Sequence, residues 1–159
     1  MNNLKLTVPC HKPIIPPLWS HLIERWHQLD DTSFTFCEAI YAWSYLKEYK
    51  PPNYIFLVLE NASNFADLDY ASSSVASPAK FVYTLPNVSA AVIFQMLNIH
   101  GTVFCLSKGS DSLKFALQEA EIFSKSGKTV WVFYNSTTSS QVETRVVEFF
   151  NCNKFLTAT

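Results

Sequence analysis

Glycine is scarce in this 159-residue chain, which holds only Gly101, Gly109 and Gly127. Phosphate-cradling loops of the G-x-G-x-x-G and Walker A kinds need several glycines to bring backbone close to a ligand, so both are excluded. No G-x-S-x-G stretch occurs, which removes the nucleophile elbow as well. Charge is sparse too: 16% of residues are charged, with 12 Lys+Arg against 13 Asp+Glu and a formal net charge of −1. A nucleic-acid binder needs a clustered positive footprint, and no basic run is present. Cysteine is limited to Cys10, Cys37, Cys105 and Cys152, far apart and without C-x-x-C spacing. That spacing speaks against a zinc or redox motif and for buried reduced thiols at Cys37 and Cys105. The apolar stretch around Val88 to Leu97 is too short to span a bilayer. The N-terminal residues lack a charged lead-in and apolar core, so no secretory signal is expected and a reducing cytoplasm is the simplest compartment.

Aromatic residues, in contrast, reach 15%, with 13 Phe, 7 Tyr and 4 Trp. Such an excess over charge builds a dense core or faces a partner. The length suits a single domain over residues 1–159, large enough to bury a real core. There is no internal repeat.

Leu4 to Val8 alternates as a short strand does. Pro9, Pro13, Pro16 and Pro17 punctuate an extended entry, and Pro17 opens a helix with Leu18, Leu22, Ile23 and Trp26 on one face. His21, Glu24 and His27 lie on that helix at spacings that spread them round the axis, so no metal site is expected. After the polar break Asp30 to Ser33, Thr35 and Glu38 stand in capping-box spacing. The helix they begin runs to Lys50, where Pro51-Pro52 stops it. Tyr54 to Leu59 is a near-continuous apolar run, suited to a strand buried on both faces. A short helix is read at Asp67 to Tyr70 and a brief strand at Phe81 to Thr84. From Pro86 a helix apolar almost all round follows, which packs on more than one side.

The organising stretch runs from Ser77 to Phe133. Its helix ends near His100-Gly101, and Thr102 to Leu106 forms an apolar strand. A second helix from Asp111, capped by Ser110, turns Leu113, Ala116, Leu117, Ala120 and Phe123 to a core. Gly127 ends it, and Thr129 to Tyr134 is the next strand. Strand, helix and strand make a βαβ unit with a parallel pair and a right-handed crossover. A turn over Asn135 to Ser140 precedes a last alternating strand around Val142 to Phe149, suited to a sheet edge. The fold class is α/β.

The succession from Ser77-Pro78 through Thr84-Leu-Pro-Asn87 to Gly109-Ser-Asp-Ser-Leu113 and Leu117-Gln-Glu-Ala120 resembles the β-ketoacyl-synthase-like N-terminal family. The resemblance covers roughly Pro51 to Asn135 and the N-terminal residues only loosely. It implies half of a thiolase-like fold, with a mixed, mainly parallel sheet and helices packed on it. The closest described role in the family is the chain length factor of aryl polyene and other type II polyketide systems.

Condensing enzymes of this kind carry a nucleophilic cysteine at the strand-to-helix turn, where the helix N-terminus lowers its pKa. With Leu113 aligned to the apolar residue after that segment, Gly109 takes the cysteine's place, and glycine cannot form a thioester. The histidines of the reaction come from a C-terminal half that this sequence does not include, and His100 precedes the strand. The resemblance therefore implies a subunit without catalysis or cofactor, paired with a cysteine-bearing ketosynthase and meeting acyl carrier protein through that complex. The strand Gly101, Thr102, Val103, Phe104, Cys105, Leu106 and Ser107 is its expected interface. Phe94, Met96 and Phe104 are expected to line an acyl tunnel. Two further readings stay open: a homodimeric scaffold or binding module, and a small enzyme using Cys105 or Ser110.

Overall fold

The structure is a computed structural model that describes residues 2–9, 15–46, 52–60, 70–75, 77–82, 85–98, 100–107, 109–137 and 141–149. Five strands, β1 (Asn2–Pro9), β2 (Tyr54–Leu59), β3 (Thr102–Leu106), β4 (Val130–Thr137) and β5 (Gln141–Phe149), form one sheet in the order β1-β5-β4-β2-β3. Helices α1 (Asp31–Leu46), α2 (Pro78–Val82), α3 (Pro86–Leu97) and α4 (Asp111–Lys125) accompany them among the described residues. β2 pairs in parallel with β3 and β4, while β5 runs antiparallel to both β4 and β1. Only β5 therefore opposes the common strand direction, and the sheet is mixed and mainly parallel.

The chain leaves β2 through α2 and α3 to reach β3, then returns past β2 through α4 to β4. Crossovers of one hand in opposite directions put their helices on opposite faces. One face is accordingly covered by α1 and α3, whose core joins Phe36, Ile40 and Met96 to Ile55, Leu57, Trp131 and Phe133. On the other face Ala116 and Ala120 of α4 pack against Phe56, Val58, Val130, Val132 and Val147. β2 contributes alternate residues to both cores, which is why its sequence is apolar without alternation. Each fully buried large side chain here contributes about 1.5–3 kcal/mol by leaving water.

Several local expectations change. Residues 17–29 make consecutive turns and a 3-10 segment at Trp26–Gln28 in place of a helix. Hydrogen bonds of i to i−3 type close them, from Ser20 to Pro17 and from Leu22 to Trp19. Trp19 and Ile23 point inward, whereas Leu18 is 77% exposed and does not share their face. Burial of the Trp19 indole, which donates to Glu38 Oε1 at 2.9 Å, decides this path over helical periodicity.

The polar break before α1 is its cap: Asp30 Oδ1 accepts from the Ser33 amide at 2.9 Å, and the helix starts at Asp31, ahead of Thr35. Its expected end at Lys50 lies outside the described residues, as do most of the expected helix at Asp67 to Tyr70 and the turn residues 138–140. Phe81 lies in the short helix α2, not in a strand, because Pro78 is placed to open a helix. α3 ends at Leu97 with Asn98 in the left-handed region (φ 48°), before His100-Gly101. In α4 the innermost stripe is Ser112, Ala116, Ala120 and Ser124, small residues that let helix backbone approach the sheet. Leu113, Leu117 and Phe123 flank that stripe, half-buried. Ser110 makes no side-chain cap bond, but Gly127 (φ 78°) ends the helix as expected. β5 is an interior strand between β4 and β1, since β1 covers its outer side.

Candidate functional site at the open sheet edge

β3 is the last strand in the sheet order and pairs only with β2 among the described residues. Its other side presents backbone donors and acceptors to whatever approaches, and an extended strand is the partner that such an edge accepts. The expected interface residues all lie along it. Thr102, Cys105 and the flanking Gly101 and Ser107 are exposed, while Val103, Phe104 and Leu106 are half-buried. Val103 packs toward the α1 side, and Phe104 and Leu106 toward α4.

The three expected tunnel residues are not brought together. Phe94 and Met96 belong to the α1–α3 core, and Met96 is buried there. Phe104 stands on the opposite face. Its ring stacks on Phe56, directly opposite in register, with centroids 4.9 Å apart and planes at 22°. Phe123 and Tyr54 extend the stack, 4.5 Å from each other. Phe94 instead lines a shallow cleft of about 350 Å³ with Gln95, Asn98, His100 and Gly101 at the start of β3.

At the far end of β3, Gly109 adopts a left-handed backbone (φ +69°), and a Cβ there would meet no atom within 4 Å. Backbone conformation, not lack of space, is what disfavours a side chain at this turn. The Ser112 amide bonds to the Gly109 carbonyl at 3.1 Å and closes the entry to α4. The Ser110 side chain is exposed at that turn. His100 lies at the other end of β3, so this strand separates it from Gly109 and Ser110. Cys105, expected to be buried, is exposed on β3. The partial desolvation it keeps there raises its thiol pKa, so it stays protonated and weakly nucleophilic at neutral pH. His21 meets the Leu18 carbonyl through Nδ1 at 2.9 Å. Among the described residues no group of three His, Cys, Asp or Glu is placed to hold a metal, and no helix is long and apolar enough to cross a membrane.

A polar rim at the carboxyl ends of β2 and β4 was not legible as a cluster. Buried Asn135 donates through Nδ2 to Thr35 Oγ1 at 3.3 Å, and Thr35 donates to the Thr32 carbonyl at 2.9 Å. The Tyr134 hydroxyl donates to the Glu60 carboxylate on the α4 side. The partners are remote in sequence, and only the small polar residues next to apolar runs signalled them.

No protein-family model matches the sequence, and no curated protein matches it. The fold is nonetheless that of a solved structure. Over 95% of this chain, the architecture is similar to a chain of the ketosynthase ApeO in complex with its chain length factor ApeC from Xenorhabdus doucetiae. The TM-score is 0.66 at 12% identity, and the match covers 78% of that chain. The protein thus has an α/β fold, a mixed and mainly parallel sheet with helices packed on it, similar to that of the ketosynthase complex chain and consistent with the expected thiolase-like half.

Proposed function

We propose that this protein is a non-catalytic partner subunit of a ketosynthase, of the chain-length-factor kind. It adds its β3 edge to a complete, cysteine-bearing enzyme and shapes the path of the growing acyl chain. The observation that carries the reading is the open, apolar edge strand β3 in a fold similar to a chain of a ketosynthase–chain length factor complex. Gly109 at the turn before α4 removes the thiol that would form an acyl-enzyme. The subunit would act in the cytoplasm, in polyketide synthesis of the aryl polyene type or in fatty-acid-like synthesis. Acyl carrier protein would reach it through the assembled complex.

Of the three tunnel candidates, Phe104 is the one on the edge itself and is the wall residue of this proposal. Phe94 and Met96 act from the other side of the sheet by supporting β3. Co-expression with a ketosynthase encoded nearby, followed by native mass measurement, tests the reading. A one-to-one complex is expected. A homodimer that ignores the ketosynthase would overturn it in favour of self-pairing through the same edge.

A further inference from the structure

We propose that Phe123 on α4 is a positioning residue that fixes the ring of Phe104 at the open edge, and through it the length of acyl chain the complex accommodates. The inference rests on the partner-subunit reading above. An edge strand has a neighbour on one side only, so a large side chain there keeps much rotamer freedom unless other groups pack on it. Phe104 is packed from two directions. Phe56 faces it from β2, and Phe123 reaches it from the helix, with ring centroids 6.2 Å apart and planes within 18°. Phe123 also stacks on Tyr54 at 4.5 Å and lies 6.1 Å from Phe56, so the helix residue touches every other ring of the group.

Its backbone is held as well. The Phe123 carbonyl accepts from the amides of Ser126 and Lys128 in the turn closed by left-handed Gly127. Phe123, held by its backbone and by the stack on Tyr54, is the post of this arrangement, and Phe104 is the ring set against it. Apolar acyl carbon meeting the exposed side of Phe104 would find a wall whose position depends on the post. Shortening the post lets the ring swing toward α4 and moves the wall back.

The test measures product chain length by mass spectrometry in the complex of the full chain with its ketosynthase. Phe123→Leu and Phe104→Ala are expected to shift products in the same direction, toward longer chains, and Phe123→Tyr to restore the original distribution. Phe133→Leu is the control for stability alone. Phe133 is buried on the opposite face, edge-to-face with Phe36 at 5.9 Å, and its loss should lower Tm without changing product length. A shift with Phe104→Ala but none with Phe123→Leu overturns the bracing role and leaves the partner reading standing. A wild-type chain that neither joins the ketosynthase nor alters its products overturns both. Should Phe123→Leu fail to assemble, fluorine NMR of labelled Phe104 in the free chain decides: an unmoved resonance in the variant overturns the inference.

Discussion

Phe94 and Phe104 stand on opposite faces of one sheet, the first against the α1–α3 core and the second in the ring stack beneath α4. Strand alternation brings Phe104, with Leu106, to the α4 side, while Phe94 packs from its helix on the other face, so Phe94 and Phe104 cannot line one wall within this chain. Phe104→Ala is expected to lengthen products of the complex. Phe94→Ala is expected to lower stability by about 1–3 kcal/mol, less than a fully buried Phe→Ala because Phe94 is half-buried. Product analysis and thermal melts of both variants check this; longer products from Phe94→Ala alone would reverse the assignment.

The edge itself is best challenged at Cys105. Val103 and Phe104 are half-buried, so a charge at either also damages the core, whereas Cys105 is exposed on β3. Lysine on an edge strand opposes strand addition by another chain. Cys105→Lys should abolish co-purification with the ketosynthase and leave Tm of the free chain nearly unchanged. An intact complex would place the interface elsewhere.

Gly109→Cys supplies a thiol at the turn but not a base. The left-handed backbone makes any side chain there cost about 1 kcal/mol, and His100 lies at the other end of β3, away from such a thiol. The variant should fold with slightly reduced Tm and show no malonyl decarboxylation alone. Measurable decarboxylation would refute the account of Gly109.

Asn135 ties the end of β4 to α1 through Thr35. Asn135→Ala removes this buried hydrogen bond to the Thr35 oxygen and is expected to destabilise by about 1–3 kcal/mol. In a double-mutant cycle with Thr35→Val the two losses should be less than additive; strict additivity would mean that the bond contributes nothing.

Cys37 makes stability depend on alkaline pH. Burial, reinforced by the carboxylates of Glu38 and Asp30, raises its pKa far above the ordinary 9.0. Above pH 9.0 the unfolded chain releases this proton while the folded chain retains it. The contribution is thus complete below that pH and declines as pH rises, by up to about 1.4 kcal/mol per pH unit. Urea melts of the wild type should lose stability above this point more steeply than those of Cys37→Ala. Parallel slopes would disprove the coupling.

In the sequence by itself, short-range periodicity and single backbone requirements were enough to reveal the strand–helix–strand succession from Thr102 to Tyr134, the doubly buried strand Tyr54–Leu59 and the glycine at the turn. They did not reveal the strand pairing: the expected β3–β4 pair is separated by β2, which pairs with both. The sequence also placed Gly127 correctly, since a helix end needs only local geometry. It misplaced the helix at residues 17–29 and the outermost strand. A tryptophan finding Glu38 overrode helical spacing in the first case, and β1 covering β5 settled the second. Strand order, the side of the sheet on which Phe94 and Phe104 stand, and the stack joining Tyr54, Phe56, Phe104 and Phe123 arise from pairings between distant segments. Crossovers of fixed hand route α3 and α4 to opposite faces. The strand order, which no local pattern encodes, made β3 the last strand among the described residues and Phe104 the half-buried ring upon it.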